Sequence, residues 1–148
     1  IAFARYKNAK TYAAVALELE VTDEARVRLH RAVVAADSGQ VVDPDGLTAQ
    51  MEGGLLQAAS WTLYEEVRFD RDGITSRDWD SYPILGFDNV PEIDVVLIDR
   101  PGEPFLGAGE AVAGPTAAAI ANAISQATGM RLRRLPFTQD AIRAAALE

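Results

Sequence analysis

Apolar and polar residues alternate with a period of two near the start of the chain. In "YAAVALELEV" (12–21), Val15, Leu17, Leu19 and Val21 fall on one side, with Glu18 and Glu20 on the other. That is the pattern of a half-buried strand. "RVRLHRAVVAAD" (26–37) also alternates and is β-branched, and the acidic turn "TDEA" separates the two. The pair is predicted as a hairpin or as neighbouring strands. His30 falls on the face of Arg28; it reads as a solvent-side strand residue, with a catalytic role as the alternative. The period then changes. After the turn-rich "DSGQVVDPDG" (37–46), Leu47, Met51, Leu55, Ala58 and Thr62 form one helical stripe. Gln50, Gly54, Gln57 and Trp61 form a second, which predicts a helix over 47–66.

"VRFDRDGITSRDW" (67–79) reads as a hairpin around Asp72-Gly73. "SYPILGFDNVPE" is a loop with two prolines, and "IDVVLID" (93–99) is a short strand, apolar enough to be mostly buried. The Gly/Pro-rich "RPGEPFLGAGEAVAG" follows. Pro115 is predicted as the first position of a helix that Gly129 ends. "RLRRLPF" (131–137) reads as a strand or extended segment, and Thr138 as the cap of a last helix, "QDAIRAAALE". Strands adjacent in sequence argue for an α+β fold, a mixed sheet with helices packed against it, rather than a regular βαβ array. The order is strand-strand-helix-strand-strand-helix, in one domain over 1–148.

Composition removes whole classes of chemistry. A formal net charge of −8 argues against nucleic acid as a partner. No apolar run approaches the roughly 20 residues that span a bilayer. The absence of cysteine excludes iron–sulfur ligation and thiol nucleophiles in this chain, and a single histidine excludes multi-histidine metal sites. No metal ligand is assigned. The chain starts at Ile1 rather than Met, as a processed product or an excised piece would.

Two places break local rules. In "QMEGGLLQ" (50–57), Gly53 and Gly54 interrupt an otherwise good helix, at roughly 1 kcal/mol each relative to alanine. Close helix packing accounts for this, or else a backbone approaching a ligand, with Gln50 or Gln57 offering an amide. The second place is "PFLGAGEAVAGP" (104–115), a glycine-rich turn opening a helix with Glu110 inside it. The Rossmann fingerprint would need glycine at Val112, and a P-loop would need lysine at Pro115, so it is no phosphate cradle. Glu110 is either a surface carboxylate near a helix N-terminus or a general base held in a rigid turn.

Together these places resemble one family. "QMEGGLLQAASWTLYEE" and "GAGEAVAGPTAAAIANAISQATGMRLRRLPF" are similar to the C-terminal part of the large subunit of molybdenum hydroxylases. These are the xanthine dehydrogenase and aldehyde oxidase relatives, and the isoquinoline 1-oxidoreductase-like enzymes in particular. "IAFARYKNAKTYAAVALELEV" looks like the same family's pattern. The resemblance implies that Glu110 is the active-site base, activating water-derived oxygen for insertion at an electron-poor carbon of an aldehyde or N-heterocycle. It implies that Gln50 contacts a molybdenum-pterin cofactor, in its cytosine dinucleotide form. Gly53, Gly54 and Gly109 would let the backbone approach that cofactor. It further implies the remainder of a large subunit and a Cys-rich iron–sulfur subunit as partners, with the chain inactive alone. Where relatives carry proline after the glutamate, this chain has Ala111. That departure and the short length leave a second reading, a non-catalytic assembly module of the same fold. Substrate identity and compartment, cytoplasm or periplasm, stay open.

Overall fold

The computed structural model describes residues 1–147. In chain order the elements are β1 (Ala2–Arg5), β2 (Tyr12–Val21), β3 (Val27–Asp37), α1 (Pro44–Leu63), β4 (Phe69–Asp70), β5 (Gly73–Ile74), β6 (Glu92–Leu97), α2 (Ala113–Thr128) and α3 (Gln139–Ala145). The main sheet has the order β1-β2-β3-β6. The first three strands form an antiparallel meander, and β6 adds alongside β3 in parallel. The sheet is therefore mixed and the fold α+β. β4 and β5 make a separate two-stranded hairpin.

The register of β2 and β3 contains one irregularity, and the sequence explains it. Glu18 pairs with Arg31 and Leu19 with Leu29, so His30 is the extra residue of a β-bulge. His30 and Arg31 are both exposed, while Leu29 on one side and Ala32, Val34 and Ala36 on the other are buried. Without the bulge, the inward phase of one half would turn outward in the other. His30 lies on the solvent side, 3.6 Å from the Glu20 carboxylate.

One face of the sheet forms the core. Ala13, Val15, Val34 and Ala36 pack with Met51 and Leu55 of α1, Ala119 of α2, and Val112. A second cluster joins Leu29 to Ala59, Leu63, Ile120, Ile124 and Phe137. Of the predicted stripe, Met51, Leu55, Ala58 and Thr62 are buried and Leu47 is half-buried. The opposite sheet face carries Phe3, Ala14, Ala16, Val33, Ala35 and Val96, none of them buried.

Several boundaries differ from the sequence reading. α1 begins at Pro44 instead of Leu47, because Asp43 caps it and accepts a hydrogen bond from the Gly46 N–H at 3.0 Å. Aspartate followed by proline supplies an N-cap and a preset first position, which the turn-rich composition disguised. α2 begins at Ala113, so Pro115 is its third residue; first-turn N–H groups lack intrahelical acceptors, so proline fits there too. Gly129 ends α2 in the left-handed conformation, φ 76°, as predicted.

"RLRRLPF" joins no sheet; Phe137 instead buries its ring and donates its N–H to the Thr62 carbonyl at 2.7 Å. β6 is half exposed rather than mostly buried, since the outer face of this edge strand is uncovered. β1 is too short to show a period, and the sequence pattern does not predict it. Thr138 caps α3 through the Ala141 N–H; Glu148, the end of that predicted helix, lies outside the described residues.

Candidate functional site

The glycine-rich connection before α2 is tied down residue by residue. Gly39, at φ 72°, lies two residues past the end of β3, and a Cβ there would overlap the Pro104 carbonyl oxygen. Only glycine allows the two backbones to touch. Leu106 donates its N–H to the Ser38 carbonyl at 2.8 Å. The Thr11 hydroxyl donates to the Gly107 carbonyl at 2.9 Å. A hydroxyl has one proton, so in the 2.9 Å bond between Thr11 and Ser38 the serine is the donor. Both hydroxyls are buried. Gln50 of α1 donates its amide N–H to the Gly109 carbonyl at 2.6 Å. Finally, Tyr6 donates its hydroxyl proton to Glu110 Oε2 at 3.0 Å.

Beyond Glu110 the chain turns inward. Ala111 and Val112 are buried, and a Cβ on Gly54 would lie 2.8 Å from Val112 Cγ2. Gly54 is thus accounted for by packing, because α1 must lie close against the residues that open α2. Gly53 is different. It is exposed, and nothing lies within 4 Å of where its Cβ would be. Gln50, Gly53 and Gln57 share this exposed face of α1. Gly109 also has open space at its Cβ position.

The predicted site residues Glu110, Gly109 and Gln50 are therefore brought together, with Gly53 one turn further along the same helix face. Sequence reasoning missed Tyr6, Thr11, Ser38 and Gly39. Of these only Gly39, in the turn sequence Asp-Ser-Gly, left a readable signal.

A cleft of about 370 Å³ opens between the first turns of α1 and this connection, walled by Leu47, Gln50, Phe105 and Gly109. Phe105 stands 75% exposed at its edge. A larger cleft of about 450 Å³ lies elsewhere, beside Arg26, Arg28, Tyr64 and Arg68. There burial, and secondarily the Asp88 carboxylate, push the Tyr64 phenol above its usual range. Glu110 itself is exposed, not enclosed by its neighbours. Among the described residues, no group of three or more His, Asp or Glu side chains is placed to hold a metal ion. Among the described residues, no helix is long and apolar enough to cross a membrane.

The profile of the molybdopterin cofactor-binding domain matches residues 4–91. The chain belongs to this family. That match covers Gln50, Gly53 and Gly54 and stops short of Glu110. Matches to whole proteins extend over the rest. One of the subunits of nicotinate dehydrogenase from Pseudomonas putida is 40% identical, over 97% of this chain and 13% of that protein. The beta subunit of isoquinoline 1-oxidoreductase from Brevundimonas diminuta is 34% identical, over 93% of this chain and 17% of that protein. The chain thus spans less than a fifth of the length of these relatives. Among solved structures, quinoline 2-oxidoreductase from Pseudomonas putida 86 has the same fold, with a TM-score of 0.85 at 23% identity over 93% of this chain and 19% of that one. Aldehyde oxidoreductase from Desulfovibrio gigas gives 0.80 at 26% identity, over 93% and 16%.

The residues present fit a cofactor of the molybdopterin cofactor-binding domain family, a flat group edged with polar atoms. Nothing lies within 4 Å of the Cβ positions of Gly53 and Gly109, so the backbone at both is open to close approach. Among the described residues, the N–H groups of Gly109 and Glu110 donate to no protein acceptor, which leaves them available to an oxygen of a bound group. Gln50 spends an N–H on Gly109, and its amide oxygen remains available as an acceptor.

Proposed function

We propose that this chain supplies the base, Glu110, and one wall of the cofactor pocket in a molybdenum hydroxylase. The enzyme would oxidise an aldehyde or N-heterocycle with oxygen derived from water. The observation that carries this reading is the convergence of Gln50 on Gly109 and of Tyr6 on Glu110. Two motifs far apart in sequence meet at one exposed carboxylate flanked by open glycines. The names of the relatives support the reaction class, since nicotinate, isoquinoline and quinoline are N-heterocycles.

When bound, the molybdenum-pterin cofactor, taken here in its cytosine dinucleotide form, supplies the redox chemistry that no side chain of this chain offers. The chain's own residues do the rest. Gln50 fixes the backbone at Gly109, and its amide oxygen would be the acceptor that holds the cofactor. Gly53 lets the α1 backbone come close. Glu110 receives a proton from the oxygen that enters the product, and burial by the rest of the enzyme would exclude water from it. Electrons would leave through iron–sulfur clusters on a Cys-rich partner, and the remainder of the large subunit would complete the pocket.

The departure at Ala111 does not loosen the turn. Its N–H donates to the Ala108 carbonyl at 3.3 Å, a bond that proline could not make. The substitution at Ala111 therefore does not weigh against the catalytic reading.

In the complete cofactor-loaded enzyme, Glu110→Gln should keep molybdenum and pterin content near wild type. It should lower hydroxylation by about 10²-fold or more, the usual effect of removing a general base. Activity within a few-fold of wild type would remove Glu110 from the role.

A further inference from the structure

Among the described residues, Glu110 has one side-chain partner, and it comes from the opposite end of the chain. The Tyr6 hydroxyl donates to Glu110 Oε2 at 3.0 Å across 104 residues of sequence. Tyr6 is half-buried and firmly held. Its N–H donates to the Thr11 carbonyl at 2.9 Å, and its carbonyl accepts from the Lys10 N–H at 2.9 Å and the Ala9 N–H at 3.3 Å.

The turn between these bonds is an uncommon one. Lys7 and Asn8 both take left-handed backbone conformations, φ 47° and 57°, and neither is glycine. Non-glycine residues adopt that region uncommonly, asparagine more readily than lysine, and such positions gather at functional sites. The Lys7 ammonium lies 5.1 Å from the centre of the Tyr6 ring and packs over it. The same turn ends at Thr11, whose hydroxyl holds Gly107 three residues before Glu110. One short segment therefore fixes both the loop that carries the carboxylate and one of the carboxylate's oxygens.

The geometry points to Tyr6 as the positioning residue of the base. This rests on Glu110 being the base. A glutamate has three rotatable bonds, and on an exposed turn its carboxylate samples many directions. A hydrogen bond to Oε2 from a rigid phenol fixes the plane of the carboxylate and leaves Oε1 free. The two oxygens then have different tasks, with Oε2 anchored by Tyr6 and Oε1 aimed at the proton to be taken. In this role the phenol acts through Glu110. Thr11 and Gln50 still hold the backbone when the hydroxyl is gone, so what is lost is orientation of the carboxylate rather than structure of the loop.

The test compares Tyr6→Phe, Glu110→Gln and the double variant in the complete cofactor-loaded enzyme. Tyr6→Phe should lower kcat by about ten-fold, the effect of one hydrogen bond to a charged group discounted for exposure. KM should be unchanged. Molybdenum content by metal analysis and amide hydrogen exchange over 106–112 should match wild type. In the Glu110→Gln background the same substitution should cost nothing further, because the residue acts through the carboxylate.

Tyr6→Phe with wild-type kcat, beside an inactive Glu110→Gln, overturns the positioning role and leaves the base intact. A loss that persists at full size in the Glu110→Gln background overturns it too, as does a loss that follows molybdenum content. Glu110→Gln with near wild-type activity is the separate failure of the base assignment, and takes this inference with it.

Discussion

Thr116 sits in the first turn of α2, fully buried, and its hydroxyl has no hydrogen-bond partner among the described residues. A buried hydroxyl left unpaired costs about 1–3 kcal/mol, and replacing it by an apolar group of the same shape removes that cost. Thr116→Val should therefore stabilise the chain by about 1 kcal/mol, seen as a higher urea midpoint at constant slope. A loss of more than that amount would mean the hydroxyl is satisfied, for example by ordered water. At this scale the sequence singled out Glu110 and Gln50, because a carboxylate among glycines and glycines inside a helix beside an amide break local rules. It was silent about Tyr6 and Thr11. A tyrosine and a threonine in a polar turn follow every local rule, and only the folded chain brings them to residues about a hundred positions away.

Among the elements, α1 separates two glycines that look alike in sequence. Gly54 meets Val112, which is buried and has little room to give. Gly54→Ala forces an overlap that costs about 1–3 kcal/mol, partly offset by the helix propensity of alanine, about 1 kcal/mol. The expected result is a net loss of about 1 kcal/mol. Gly53→Ala meets nothing and should gain about 1 kcal/mol in the isolated chain. In the complete enzyme the same methyl group should lower molybdenum content, because it projects from the face proposed to approach the cofactor. Stability up and cofactor down is the expected pair of readings; unchanged metal content would take Gly53 out of the pocket. The helix stripes and the β2–β3 hairpin were legible because each has a strong period. The bulge at His30 was legible in principle, as two polar residues in a row between Leu29 and Ala32. The exposure of β6 was not, because apolar residues on an edge strand do not say which face is covered.

For the whole molecule, the uncovered sheet face decides the behaviour of the isolated chain. No large apolar side chain is exposed around Gly53–Gly54 or on α2. Gln50 and Gln57 flank the glycines, and the outer face of α2 presents small or polar residues such as Ala118, Asn122 and Gln126. Phe3 and Val96 are instead 65% and 52% exposed on the free sheet face, at its two edges, with Ala14, Ala16, Val33 and Ala35 between them. Contiguous apolar surface of this kind drives association. A net charge of −8 opposes it. The two effects respond differently to salt. Repulsion between whole molecules is screened as the Debye length falls from about 10 Å at 0.1 M to about 3 Å at 1 M, while burial of apolar area is not weakened. Association of the isolated chain should therefore grow with concentration and with added salt in sedimentation velocity, accompanied by binding of an apolar dye. Phe3→Glu and Val96→Glu should each reduce both signals, whereas a charge added at Gln126 on α2 should leave them unchanged. Association that weakens as salt is added would show that opposite charges, not this face, hold the molecules together. A monomer at every concentration and salt, with no dye bound, would show that the face needs no cover.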